Sequence, residues 1–96
     1  MSESRANFGV NEVTVATAGT AVQLPNMPVG GGCELVIKAK RTNKGAIKIG
    51  ESAAQAQAGK FTLEPGEATK LRISNANKGY VDAEVSGDKV ELIVEQ

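Results

Sequence analysis

Two carboxylate pairs lie close enough in the sequence to suggest acid–base chemistry: Glu64 with Glu67, and Asp82 with Glu84. Two carboxyl groups held in unlike environments can protonate a leaving group and activate a water. Glu64 and Glu67, however, flank Pro65-Gly66, a turn signal where charge is ordinarily solvated. Asp82 and Glu84 alternate with Val81, Ala83 and Val85, which puts both on the polar face of a strand. Neither pair comes with an aromatic platform or a cleft-forming insertion, so both read as surface charge. Cys33 is the sole cysteine and the chain has no histidine. A lone thiol without an imidazole partner is a poor nucleophile and cannot complete a zinc site. Placed at the start of an apolar strand, it reads as a small buried hydrophobe. The expectation is no catalytic residue, no metal ligand and no cofactor.

The remaining motifs point the same way. Gly30-Gly31-Gly32 precedes a strand rather than a helix and lacks the Lys-Ser/Thr of a phosphate loop. No Asp-rich calcium loop occurs. Lys38, Lys40, Arg41 and Lys44 are the densest basic stretch, with Lys38 and Lys40 on one strand face. Lysine plus arginine equals aspartate plus glutamate at 11 each, so the basic excess of a nucleic-acid binder is absent. With no Trp and only Tyr80, Phe8 and Phe61 as aromatic residues, flat platforms for sugars or unstacked bases cannot be assembled. These exclusions leave protein surfaces as the expected partner, with no nucleic acid, membrane or small-molecule substrate.

The elements that would position such a surface are strands. Apolar residues alternate with polar ones in short bursts, separated by Gly, Pro and Asn. Val13 and Val15 share one face, as do Val22 and Leu24. Pro25 to Gly32 breaks the pattern and reads as a long connection able to cross between sheets. From Cys33 to Arg41, Leu35, Ile37 and Ala39 point one way and Val36, Lys38 and Lys40 the other. The Thr42-Asn43-Lys44-Gly45 turn and the strand Ala46–Ile49 complete an expected hairpin. Residues 50–59 read as a loop with at most one helical turn. Strands follow at Lys60–Leu63, Ala68–Ser74, Tyr80–Val85 and Lys89–Glu95, separated by Pro65-Gly66, Asn75–Gly79 and Ser86–Asp88 turns.

The fold expected is an all-β, antiparallel β-sandwich of about eight short strands, with jelly-roll connectivity open to it. Residues 12–96 form this domain, and residues 1–11 read as a flexible N-terminal arm without the apolar core of a secretory signal. The 96 residues allow one domain and a thin core. Val, Ile, Leu and Ala must fill it, which favours self-association or attachment to a partner. Four apolar residues fall outside the expected core. Phe8 and Val10 lie in the arm, and Val36 and Ile93 are out of phase with their strands. They are the candidate protein-interface residues. The competing assignments are an arm or a long loop that covers Val36, Ile93 or both, and, for the arm, a disordered tail.

Residues 12–94 resemble a group of small bacteriophage virion proteins. The similarity lies in the order of several segments. They are Val13-Thr14-Val15-Ala16-Thr17-Ala18-Gly19-Thr20-Ala21-Val22-Gln23-Leu24, the strand Ile37-Lys38-Ala39 and the turn Asn43-x-Gly45. Ile47-x-Ile49-Gly50, Phe61-x-Leu63-x-Pro65-Gly66-Glu67, Gly79-Tyr80-Val81-Asp82-Ala83 and Val85-Ser86-Gly87-Asp88 follow. The resemblance implies a β-sandwich capsid decoration, or cement, protein made in the bacterial host cytoplasm. Such a protein would bind the major capsid protein or another virion protein on the capsid surface. It would act as a homo-oligomer, a trimer being one form. A tail, baseplate or adaptor domain is the alternative within that resemblance. A small ligand-binding or adhesion sandwich is the alternative outside it.

Overall fold

A computed structural model of the chain describes residues 7–96. Eight strands and one short helix follow in order: β1 (Phe8–Thr14), β2 (Val22–Gln23), β3 (Leu35–Ala39), β4 (Ile47–Gly50), α1 (Ala53–Ala58), β5 (Thr62–Leu63), β6 (Ala68–Leu71), β7 (Tyr80–Ala83) and β8 (Lys89–Glu95). They form two four-stranded sheets. The first has the order β1-β8-β3-β6 and the second β2-β7-β4-β5. Every pairing is antiparallel. Only β4 and β5 follow one another within a sheet; each other connection passes to the opposite sheet. Two such sheets with this strand order make an eight-stranded jelly roll.

Period-two alternation explains which side chains meet. Leu35, Ile37 and Ala39 from β3 and Val90, Leu92 and Val94 from β8 are all buried. They face Ile47 from β4 and Val81 and Ala83 from β7, which are equally buried. Val15, Leu24, Met27, Leu63 and Ala76 extend the same cluster. No aromatic ring is among its buried members, so short branched side chains fill the space between the sheets.

The expected hairpin between β3 and β4 does not form. β3 pairs with β6 and β8, whereas β4 pairs with β5 and β7. The reason lies in the turn between them. The buried Asp88 carboxylate accepts the Lys44 N–H at 3.0 Å and the Gly45 N–H at 2.9 Å. Asn43 donates its side-chain amide to the Lys89 carbonyl at 2.7 Å and accepts the Lys89 N–H at 2.8 Å. These bonds fasten the turn to the start of β8 and steer the chain across to the second sheet. By contrast, Pro65-Gly66 makes the expected type II turn, with Gly66 at φ 89° and Glu67 N–H bonding the Glu64 carbonyl at 2.9 Å. That turn also passes between sheets.

The arm is shorter than its sequence suggests. Phe8 to Asn11 are the first half of β1 and pair with Leu92 to Glu95. Residues 1–6 lie outside the described residues. Cys33 falls in the connection before β3 and is half-buried, not a core residue.

The six-residue α1 is longer than a single turn but too short to persist alone. Ser52 caps its start by accepting the Gln55 N–H, and Gly59 ends it in the left-handed region at φ 67°. Ile47 and Ile49 point into the sandwich, so Lys48 and Gly50 face outward beneath the helix. A Cβ on Gly50 would run into the backbone of Ala56 and the side chain of Gln55. Glycine is therefore what lets α1 lie against the outer face of the second sheet, where it contacts β4 and β7 and buries Ala56.

Candidate docking face on the first sheet

The outer face of the first sheet collects the candidate interface residues. In the register of β1, β8 and β3, Val10 stands opposite Ile93, and Ile93 opposite Val36. Phe8 lies two residues before Val10 on the same face and opposite Glu95. Phe8 and Val10 are each 66% exposed and Ile93 is 42% exposed, while Val36 is half-buried between its neighbours. One contiguous apolar patch thus arises from three strands. Val10 and Phe8 do not cover Val36 and Ile93; they extend the patch sideways.

Charges border the patch on both sides. Glu12, Glu91 and Lys38 form the next row. Lys40 Nζ reaches Glu12 at 2.7 Å and Glu91 at 3.2 Å, and Lys38 lies 3.9 Å from Glu91. The hydrogen bond from Lys40 holds the Glu12 carboxyl below its usual range. The bonds to Glu12 and then Glu91 push the Lys40 ammonium up. The linkage has a definite sign. Glu12, with its pKa depressed by folding, contributes stability above the ordinary carboxylate range, and loses it as pH falls through the depressed value. Lys40, with its pKa raised, contributes below the ordinary lysine range and loses it as pH rises through the raised value. All three side chains are partly exposed, so the expected effect is small and sensitive to salt. A double-mutant cycle on Glu12 and Lys40 should show coupling at neutral pH and low salt. That coupling should vanish in strong acid or at about 1 M salt.

The carboxylate pairs do not converge on a site. Glu67 Oε1 accepts the Glu64 N–H at 2.7 Å, which makes it a turn cap. Glu84 is exposed, and its Oε1 accepts the Ala46 N–H at 3.1 Å. Asp82 is not on a solvated face as its alternation implies: it is fully buried. Its Oδ1 accepts N–H groups from Gly19 at 2.9 Å and Ala83 at 2.7 Å. Its Oδ2 has no hydrogen bond and lies 3.7 Å from Lys48 Nζ. The physical cause is the cover that α1 and the Thr17–Thr20 turn place over this face, which the strand pattern alone does not encode. Among the described residues, no three of His, Cys, Asp and Glu gather as they would to hold a metal ion.

The other sequence candidates take structural parts. Gly30 donates its N–H to the Glu95 carbonyl and accepts that of Cys33, and Gly32 turns at φ 78°. The triglycine is thus a turn at the end of β8. Lys38 and Lys40 are spent on Glu91 and Glu12.

A second concavity opens at the β5–β6 side of the sandwich. It is an apolar cleft of about 450 Å³ lined by Ile49, Phe61, Leu71 and Ile73, with Glu51 and Lys78 at its margin. Phe61 is half exposed there. Leu71 and Ile73 also pack against the core from this side. The short β5 and β6 leave this side of the sandwich open, a consequence of strand length that alternation does not report.

Comparison of the chain with protein-family models, with curated proteins and with solved structures finds no match in any of the three.

Proposed function

We propose that this protein is a non-enzymatic virion structural protein, a capsid decoration protein that binds the outer surface of a phage head and stabilises it. One observation carries the reading most: Phe8, Val10, Val36 and Ile93 share an outer sheet face, bordered by charges of both signs. An apolar patch with a charged rim has the composition of a protein-contact surface. The jelly-roll connectivity supports the virion setting by analogy, since capsid domains use it, as do lectins and cupins. Weak contacts per copy suffice in that setting, because a shell offers many equivalent sites. The apolar cleft at Phe61 favours a second reading, a small sandwich that binds a ligand between its sheet edges.

The test uses shells assembled from the major capsid protein encoded beside this gene. The wild-type protein should co-sediment with them and raise their bursting temperature. Ile93→Ser should weaken binding by about tenfold or more while the protein stays folded, since a central apolar contact is worth about 1–2 kcal/mol. Absence of wild-type binding at every salt concentration would sink the proposal. Binding by Ile93→Ser equal to wild type would move the contact off this face.

A further inference from the structure

β1 has a second property, independent of what its outer face binds. Among the described residues, its main chain is paired on one side only, to β8. Each sheet has two edges, and three of the four are blunted. β2 and β5 are two residues long, and β6 is four residues with Lys70 on its outer face. β1 is seven residues long and runs in unbroken register along β8. It contains no proline, no lysine and no bulge, the usual devices that prevent edge-to-edge pairing.

The ladder fixes which groups face outward. Asn7 accepts the Gln96 N–H, and Val15 donates to Asp88. Bonded pairs alternate with unbonded ones, so residues 7, 9, 11, 13 and 15 bond toward β8. Phe8, Val10, Glu12 and Thr14 therefore turn their N–H and C=O groups to the open edge. The Asn11 side chain caps the Glu12 N–H at 2.8 Å, and among the described residues nothing caps the donors of Phe8 and Val10 on the open edge.

We infer that β1 pairs antiparallel with β1 of a second copy, joining two first sheets into one eight-stranded sheet about a two-fold axis. The register that suits this strand places the axis at Gly9. Phe8 then stands opposite Val10 of the second copy and exchanges both main-chain bonds with it, and the symmetric pair repeats the arrangement. Apolar meets apolar, and Gly9, without a side chain, sits where the two chains approach most closely. An axis at Val10 would set Phe8 against Glu12, and an axis at Glu12 would set two carboxylates together. Lys40 already neutralises Glu12 within its own copy, so no unpaired charge opposes the approach. Such a contact is isologous and closes at two copies.

Sedimentation or light scattering should give twice the 9.9 kDa chain mass at tens of micromolar. Val10→Pro removes an edge donor without touching the bonds to β8, a position where an edge strand tolerates proline. It should yield a folded monomer, with association weakened about tenfold or more. Ile93→Ser, on the face but away from the edge, should remain a dimer. A monomeric wild type, a trimer, a dimeric Val10→Pro or a monomeric Ile93→Ser would each overturn the inference. If Val10→Pro fails to fold, Val10→Lys takes its place with the same expected monomer. Shell binding is read separately, so loss of one result leaves the other standing.

Discussion

Asp82→Ala should destabilise the protein by about 3–5 kcal/mol, against the roughly 5–15 kcal/mol that a domain possesses. The expectation rests on what the carboxylate leaves behind. Oδ1 satisfies the N–H groups of Gly19 and Ala83, and Oδ2 faces the Lys48 ammonium at 3.7 Å. Lys48 is itself mostly covered, with 19% of its side chain exposed, and its Nζ lies 3.4 Å from the Gln57 carbonyl at the end of α1. Alanine would leave the half-buried Lys48 cation without its counter-charge and two N–H groups without their shared acceptor. The Thr17–Thr20 turn and the end of α1 would both loosen, because Asp82 and Lys48 tie them to the second sheet. Asp82→Asn keeps one carbonyl oxygen for the N–H groups and loses only the charge, so its loss should be smaller, about 1–2 kcal/mol. Urea unfolding followed by far-UV circular dichroism measures both. Two variants equal to wild type within about 0.5 kcal/mol would mean that water replaces the carboxylate without penalty.

The Asp82 case also shows where sequence legibility ends. Strand phase placed Asp82 opposite Val81 and Ala83, which is correct; the step from "outward" to "solvated" was not. A strand pattern reports which side of a sheet a residue occupies and says nothing of what lies over that side. Here α1 covers it, and α1 docks because Gly50 gives it room. The same logic separates the resolved from the unresolved parts of the sandwich. The inward faces of β3 and β8 were legible, since five or more alternating residues fix a phase. Sheet membership was not. Asn43-Lys44-Gly45 has hairpin chemistry, and only Asp88 and Lys89, more than forty residues on, turn it into a crossing between sheets. The candidate face was legible for a related reason. Val36 and Ile93 break phase with their own strands, and β3 and β8 are neighbours, so two local exceptions became one surface. Phe8 and Val10 joined them through β1, whose Gly and Asn hid a strand within an apparent arm.

Leu92→Ala is the sharpest test of the core itself, with an expected loss of about 3–5 kcal/mol. Leu92 is 1% exposed on β8, with Asn11 of β1 on one side and Ile37 of β3 on the other. Truncation costs the transfer free energy of the lost atoms and a further amount set by the cavity that remains. Collapse into that cavity should be poor here. The cluster around it contains no aromatic ring, and Ala39 and Ala83 are too small to reach across the gap. β8 cannot shift to help, because it is held by strands on both edges. The upper half of the usual range is therefore expected, with a fall in melting temperature of roughly 12–40 °C for a chain this short. Its neighbour in sequence gives the contrast. Ile93 points the other way, and Ile93→Ser should change stability by less than about 1 kcal/mol while removing the docking contact. One residue apart on the same strand, the first substitution should strongly destabilise the sandwich. The second should leave a folded protein with an altered surface. If both variants lost stability equally, the two faces of the first sheet would be equally buried, and the docking face would belong to an interior.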